Sequence, residues 1–113
     1  MDIQYREIIE DYYRCFRERD RTGLEKILST DFHHVSSFGE YFDRDKMLGM
    51  IWPTVGQSWA RSLQIFGGNP EFMVRYQVES SERPPMAMAE YIRFQNERIV
   101  EIEVYMGRML SVQ

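Results

Sequence analysis

Met86-Ala87-Met88-Ala89-Glu90-Tyr91-Ile92-Arg93-Phe94-Gln95 is the stretch on which the fold turns. Successive side chains of a strand point to opposite faces, so Met86, Met88, Glu90, Ile92 and Phe94 share one side. Ala87, Ala89, Tyr91, Arg93 and Gln95 share the other. One acid interrupts an otherwise apolar row. The neighbouring segments alternate in the same way: Phe72, Val74, Tyr76 and Val78 oppose Met73, Arg75, Gln77 and Glu79, while Val100, Ile102, Val104 and Met106 oppose Glu101, Glu103 and Tyr105. Breaks fall at Gly67 to Pro70, Ser80 to Pro85 and Asn96-Glu97. The pattern predicts antiparallel strands with one buried face. Directly paired residues lie on the same side of a sheet, which constrains the last hairpin. A two-residue Asn96-Glu97 turn pairs Phe94 with Ile99 and moves Glu101 to the side of Ile92. An odd loop, Asn96 to Arg98, pairs Phe94 with Val100 and Arg93 with Glu101, matching apolar to apolar and base to acid. The odd loop is predicted.

Upstream the period changes. Tyr5, Ile9, Tyr12 and Phe16 recur at spacings of four, three and four residues, with Ile8 and Tyr13 widening the stripe, and predict a helix from Ile3 to Arg19. After a break at Asp20 to Gly23, Leu24, Ile27 and Leu28 give a short second helix, capped by Thr22 with Glu25 or started at Asp20. Asp31 to Phe38 reads as a strand ending at Gly39. Asp43 is an N-cap for a third helix carrying Met47, Leu48, Ile51 and Trp52, which Pro53 ends; Thr54 to Ser58 is loop. Helices followed by a run of strands predict an α+β domain, with about three N-terminal helices packed on the concave face of a curved antiparallel sheet.

At 113 residues the chain fits one domain, 1–113, that buries roughly two-thirds of the surface of its unfolded chain. A hydrophobic fraction of 43% with 28% charged residues suits a globular protein rather than a disordered one. The net charge of -4, with Lys and Arg scattered among acids, gives no basic field for a phosphate backbone, so nucleic acid is not an expected partner. Cys15 is the single cysteine and lies amid Tyr12, Tyr13 and Phe16, where a small buried hydrophobe is expected. The charged start, Met1 to Asp11, reads as neither signal peptide nor membrane span, and a cytoplasmic location is expected.

Several strings in this order and at these spacings resemble the SnoaL-like and ketosteroid-isomerase-like branches of the nuclear transport factor 2-like superfamily. They are Tyr12-Tyr13-Arg14-Cys15-Phe16, Asp31-Phe32, Ser36 to Gly39, Asp43-Arg44-Asp45, Trp52-Pro53, and Ala89-Glu90-Tyr91 through Val104-Tyr105-Met106-Gly107. The resemblance spans nearly the whole chain and implies a cone-shaped fold with an apolar pocket. Its activities range over isomerases, cyclases, dehydratases, epoxide hydrolases and binders without chemistry. Ketosteroid isomerase combines an Asp base with an oxyanion hole of a Tyr and a protonated Asp, a worked case of carboxyl pKa tuning. The resemblance carries the Tyr to Tyr12 and the protonated acid to Glu90. The base position falls on Ser36, which cannot shuttle a carbon-bound proton, and His34, two residues back on the same strand face, is the candidate substitute. The acid expected of the epoxide hydrolases is Val104 here.

The resulting expectation is a protein that binds a hydrophobic, ring-containing small molecule, as an isomerase, cyclase or dehydratase or as a non-catalytic module. Tyr12, Glu90 and His34 are the candidate catalytic residues. Phe16, Ser36, Met47, Trp52, Trp59, Tyr76, Met88 and Phe94 are the candidate ligand-binding residues, although the Ser36 hydroxyl also suits a turn cap before Gly39. The two histidines have no acid at ligand spacing, so neither a metal nor another cofactor is expected. The outer sheet face, with Arg75, Tyr91, Arg93, Glu101, Glu103 and Tyr105, predicts a homodimer contact.

Overall fold

The computed structural model describes residues 2–110; Met1 and residues 111–113 of the expected domain lie outside it. The elements are α1 (Ile3–Glu18), α2 (Arg21–Ile27), β1 (Leu28–Val35), β2 (Tyr41–Asp43), α3 (Arg44–Ile51), a 3-10 turn (Trp52–Thr54), β3 (Ser58–Gly68), β4 (Glu71–Ser80), β5 (Met86–Gln95) and β6 (Arg98–Met109). One open six-stranded sheet runs in the order β2-β1-β6-β5-β4-β3. The α+β expectation holds, with one correction. β1 pairs with β6 in parallel, so the sheet is mixed rather than wholly antiparallel. The chain leaves β1, makes the β2 hairpin and α3, and re-enters the sheet at the opposite edge as β3, from which three antiparallel steps bring β6 back beside β1.

α1 buries Ile9, Tyr12 and Cys15 on the stripe its spacing sets. Of the two readings for the start of α2, Asp20 is the one observed: its side chain accepts from the Gly23 amide at 2.9 Å. A Cβ at Gly23 would lie 2.6 Å from that carboxylate and 2.7 Å from Cys15 Sγ, so the corner admits only glycine. β1 starts three residues before the expected Asp31 and stops at Val35, because the chain turns at Ser36. The Ser36 hydroxyl accepts from the Phe38 and Glu40 amides at 3.2 and 3.1 Å. β2 escaped the sequence reading, since three residues cannot display a period. Asp43 caps α3 as expected, accepting from the Lys46 amide at 2.8 Å.

The odd-loop hairpin is overturned. Asn96 (φ 53°) and Glu97 (φ 65°) form a two-residue turn with both central residues left-handed, and Phe94 pairs with Ile99, Gln95 with Arg98. Arg93 nonetheless faces Glu101, with an ion pair of 2.9 Å, because the register shifts between Arg93 and Phe94 and leaves Val100 as the extra residue. The parity change that the side chains demand is made by a bulge inside the ladder instead of by the loop.

The inner sheet face and the helices enclose the core. Phe72, Ile92, Ile102 and His34 align across four strands, and Val74, Glu90 and Val104 form the next row. Tyr5, Phe72 and Phe94 close one end as an aromatic cluster, with Tyr5 and Phe94 edge-on at 4.9 Å. The other end is hollow. None of the helices among the described residues is long and apolar enough to cross a membrane.

Candidate functional site

The hollow measures about 260 Å³ and lies between α1, α3, β3, β4 and β5. Glu90 is on its wall, buried with 6% of its surface exposed. Both its cross-strand neighbours, Val74 and Val104, are apolar, so partners must come from elsewhere. Tyr13 supplies one: its hydroxyl donates a short hydrogen bond to Glu90 Oε1. Tyr76, the diagonal neighbour of Glu90 across β4 and β5, brings a second hydroxyl to bear on the carboxyl. Burial pushes the Glu90 carboxyl up to about 7, and the Tyr13 and Tyr76 hydroxyls hold it from rising further. Tyr12 and Tyr13 are held well above the ordinary phenol value, first by burial and then by the Glu90 charge, so both remain hydrogen-bond donors.

His34 lines the same hollow from β1. It faces Ile102, with β6 separating it from β5. Burial pushes the imidazole below its ordinary value, so it is neutral at pH 7, and its Nδ1 is buried without a hydrogen-bond partner in the structure. His33 points the other way, its Nε2 3.9 Å from Glu101 and its ring stacked on Tyr41. Phe16, Met47, Trp59 and Tyr76 form the apolar wall.

Of the expected residues, the structure therefore gathers Tyr12, Glu90, His34, Phe16, Met47, Trp59 and Tyr76 around one cavity. Four others lie away from it. Ser36 spends its hydroxyl on the β1–β2 turn, and Phe94 belongs to the aromatic cluster at the closed end. Met88 packs on the core one row beyond Glu90, between Tyr76 and Met106. Trp52 faces α1 and α2, with the Arg19 and Arg21 guanidinium groups each 5.4 Å from its ring centre. The resemblance carries the family's Tyr to Tyr12, whereas it is Tyr13 that hydrogen-bonds Glu90. The stripe Tyr5–Phe16 contains both, and a helical period cannot choose between adjacent residues that share one apolar arc. Ile51, read only as part of the apolar face of α3, was missed as a cavity residue, as were Thr54, Val55 and Gly56, which sit in a rim without periodicity. Arg19 fastens that rim: in the left-handed C-cap of α1 (φ 57°), it donates from Nη1 to the carbonyls of Val55 and, at 3.4 Å, Trp52.

Among the described residues no group of three or more His, Cys, Asp or Glu could hold a metal ion. Burial pushes the Cys15 thiol up to about 11, which leaves it an inert core residue.

No family model matches the chain, and no curated protein does. Solved structures do. A protein of unknown function from Burkholderia xenovorans, named as NTF-2 like, superposes with a TM-score of 0.78 at 16% identity over 97% of this chain and 88% of that one. The chain has the nuclear transport factor 2-like fold. Two further proteins share it: one from Kribbella flavida, provisionally named a ketosteroid isomerase (TM-score 0.82, 11% identity, 97% of this chain and 82% of that one), and one from Xanthomonas campestris, provisionally named a polyketide cyclase (0.77, 11%, 92% and 90%). Identities at this level carry the nuclear transport factor 2-like fold alone, so activity has to be argued from the cavity itself.

Proposed function

We propose that the protein binds a small, ring-containing hydrophobic molecule in this cavity and performs acid–base chemistry on it of the isomerase, cyclase or dehydratase kind. The observation that carries this is Glu90: a carboxyl walled by valines, tethered by a tyrosine and brought near neutrality at the side of a hollow. Such a group is protonated in much of the population at neutral pH and can donate to an oxygen on which charge develops. The Tyr12 hydroxyl lines the same space as a second donor. His34, held neutral on the same wall, is the group to take a proton from the ligand. A cavity of about 260 Å³ is less than twice the roughly 150 Å³ apolar cavity that takes one benzene, which favours one or two rings over a steroid nucleus.

One observation favours the second reading, a binder without chemistry. The position at which the resemblance implies a base is Ser36, and its hydroxyl is committed to two amides outside the cavity. The two readings separate with 2-tetralone in deuterated buffer. Exchange of its α-protons above the buffer rate, lost in Glu90→Gln and His34→Ala, supports catalysis. Saturable binding with no added exchange supports the module, and no binding removes both.

A further inference from the structure

Five residues of the cavity wall, Thr54, Gly56, Ser58, Trp59 and Val78, also line a second hollow of about 590 Å³. The second hollow extends outward along the β4–β5 connection, where Arg83, Pro84, Met86 and Met109 complete it. The shared residues come from both sides, Thr54 and Gly56 from the rim and Ser58, Trp59 and Val78 from the sheet, so the two spaces meet at a common mouth.

The register supplies a continuous floor. Ala60 pairs with Val78, Val78 with Met86, and Met86 with Met109, an apolar row across β3, β4, β5 and β6. Ala60 belongs to the inner cavity, Val78 to both, and the two methionines to the outer hollow. Three strand spacings make the row about 14 Å long. Trp59 and Met109 beside it are 40% and 53% exposed, apolar surface that an elongated ligand would remove from water. Ser80, Ser81 and Gln57 give the outer edge hydroxyl and amide groups. Glu82 adds an acid at the outer rim, beside Arg83, whereas the hollow along α1 and α2 is a separate space that shares no residue with the cavity.

We propose that the outer hollow is a second compartment of the ligand site, and that the ligand is a ring bearing a flexible, largely apolar chain. The ring lies against Phe16, Met47 and Tyr76 with its oxygen at Glu90, and the chain leaves past Trp59 along Val78, Met86 and Met109. This rests on the reading of the inner cavity as the ligand site given above.

The test is a calorimetric and NMR titration with phenol, 4-ethylphenol, 4-butylphenol and 4-hexylphenol. The inner cavity holds the common ring and hydroxyl, so only the chain probes the outer hollow. Affinity is expected to rise about fourfold per added methylene beyond the ethyl group. In Met109→Asp, a change at an exposed residue outside the inner cavity, the chain-length gain is expected to vanish while phenol affinity stays the same. Met86→Gln should reduce the gain in the same direction. If all four phenols bind alike, or the gain survives both variants, the second compartment is refuted while the inner site stands. If none binds, the inner site and the compartment fall together.

Discussion

Glu90 shows what a single side chain can reveal. Parity alone placed it on the apolar face, and the structure finds it there with a pKa pushed up to about 7 by burial, against an ordinary 4.5. A folded-state value above the unfolded one means that the native protein holds this proton more tightly than the unfolded chain. The stability Glu90 contributes is therefore complete below about pH 4.5 and is lost as pH rises to about 7, by roughly 3 kcal/mol at most. Urea unfolding between pH 4 and 8 should show that loss, and Glu90→Gln should flatten it. His34 acts with the opposite sign, since its lowered value gives stability that is present above 6.5 and fades as the solution is acidified. The wild type minus Glu90→Gln difference isolates the carboxyl. Because Tyr13 donates to the carboxylate, Tyr13→Phe should move the Glu90 titration, followed by its side-chain carbon resonance, above its wild-type position. Tyr12→Phe should leave it nearly in place, because Tyr12 makes no hydrogen bond to Glu90 and stays uncharged over that range. The sequence could place Glu90 and His34, whose facing obeys a period of two. It could not choose between Tyr12 and Tyr13 or foresee that Ser36 turns its hydroxyl away, since both outcomes depend on side-chain contacts made after the helix and turn have formed.

At the level of elements, patterns were legible wherever an element was long enough to repeat. β4, β5 and β6 and the stripe of α1 were clear, whereas β2 and the rim after α3 left no periodic trace. The β5–β6 hairpin is instructive because the pairing of Arg93 with Glu101 was correctly inferred and the device producing it was not: alternation specifies which face a residue takes, and a bulge or an odd loop satisfies it equally well. The turn as built asks a non-glycine residue to sit at φ 65°, where an Asn-Gly pair is preferred. Glu97→Gly should stabilise the protein by about 0.5–1 kcal/mol in urea unfolding; a loss of stability would contradict the turn. Arg19 joins two elements, ending α1 in a left-handed conformation and clamping the cavity rim. Arg19→Ala should cost about 1–2 kcal/mol and speed amide exchange at Val55 and Gln57. Arg19→Gly loses the same contacts but relieves about 1 kcal/mol of backbone cost, so it should be the milder change in stability with the same faster exchange.

For the molecule as a whole, helices on one face leave the other face of the sheet open. There Met73 and Tyr105, 39% and 49% exposed, flank Ala89 and Tyr91, with Glu101 and Glu103 bordering the same shallow hollow and Arg75 and Arg93 on the same side. We propose that two copies pair through this face, since it offers both apolar area and charges of both signs to a two-fold partner. Sedimentation should give twice the chain mass, and Tyr105→Lys should shift it toward the monomer; one chain mass at every concentration would refute the pairing. The sequence indicated which faces are covered and which are free. It did not indicate that the first strand lies beside the last, because patterning records sidedness and not neighbours.

That adjacency of β1 and β6 bears on how the protein is made. A ribosome delivers β1 well before its parallel partner β6, so until β6 emerges the early strand has only β2 beside it in the sheet, with α2 and α3 packed against it. His34 and Glu90 come to share one wall only when β6 slots between them, so the site matures no earlier than β6 is made, and damage to β6 is felt at β1.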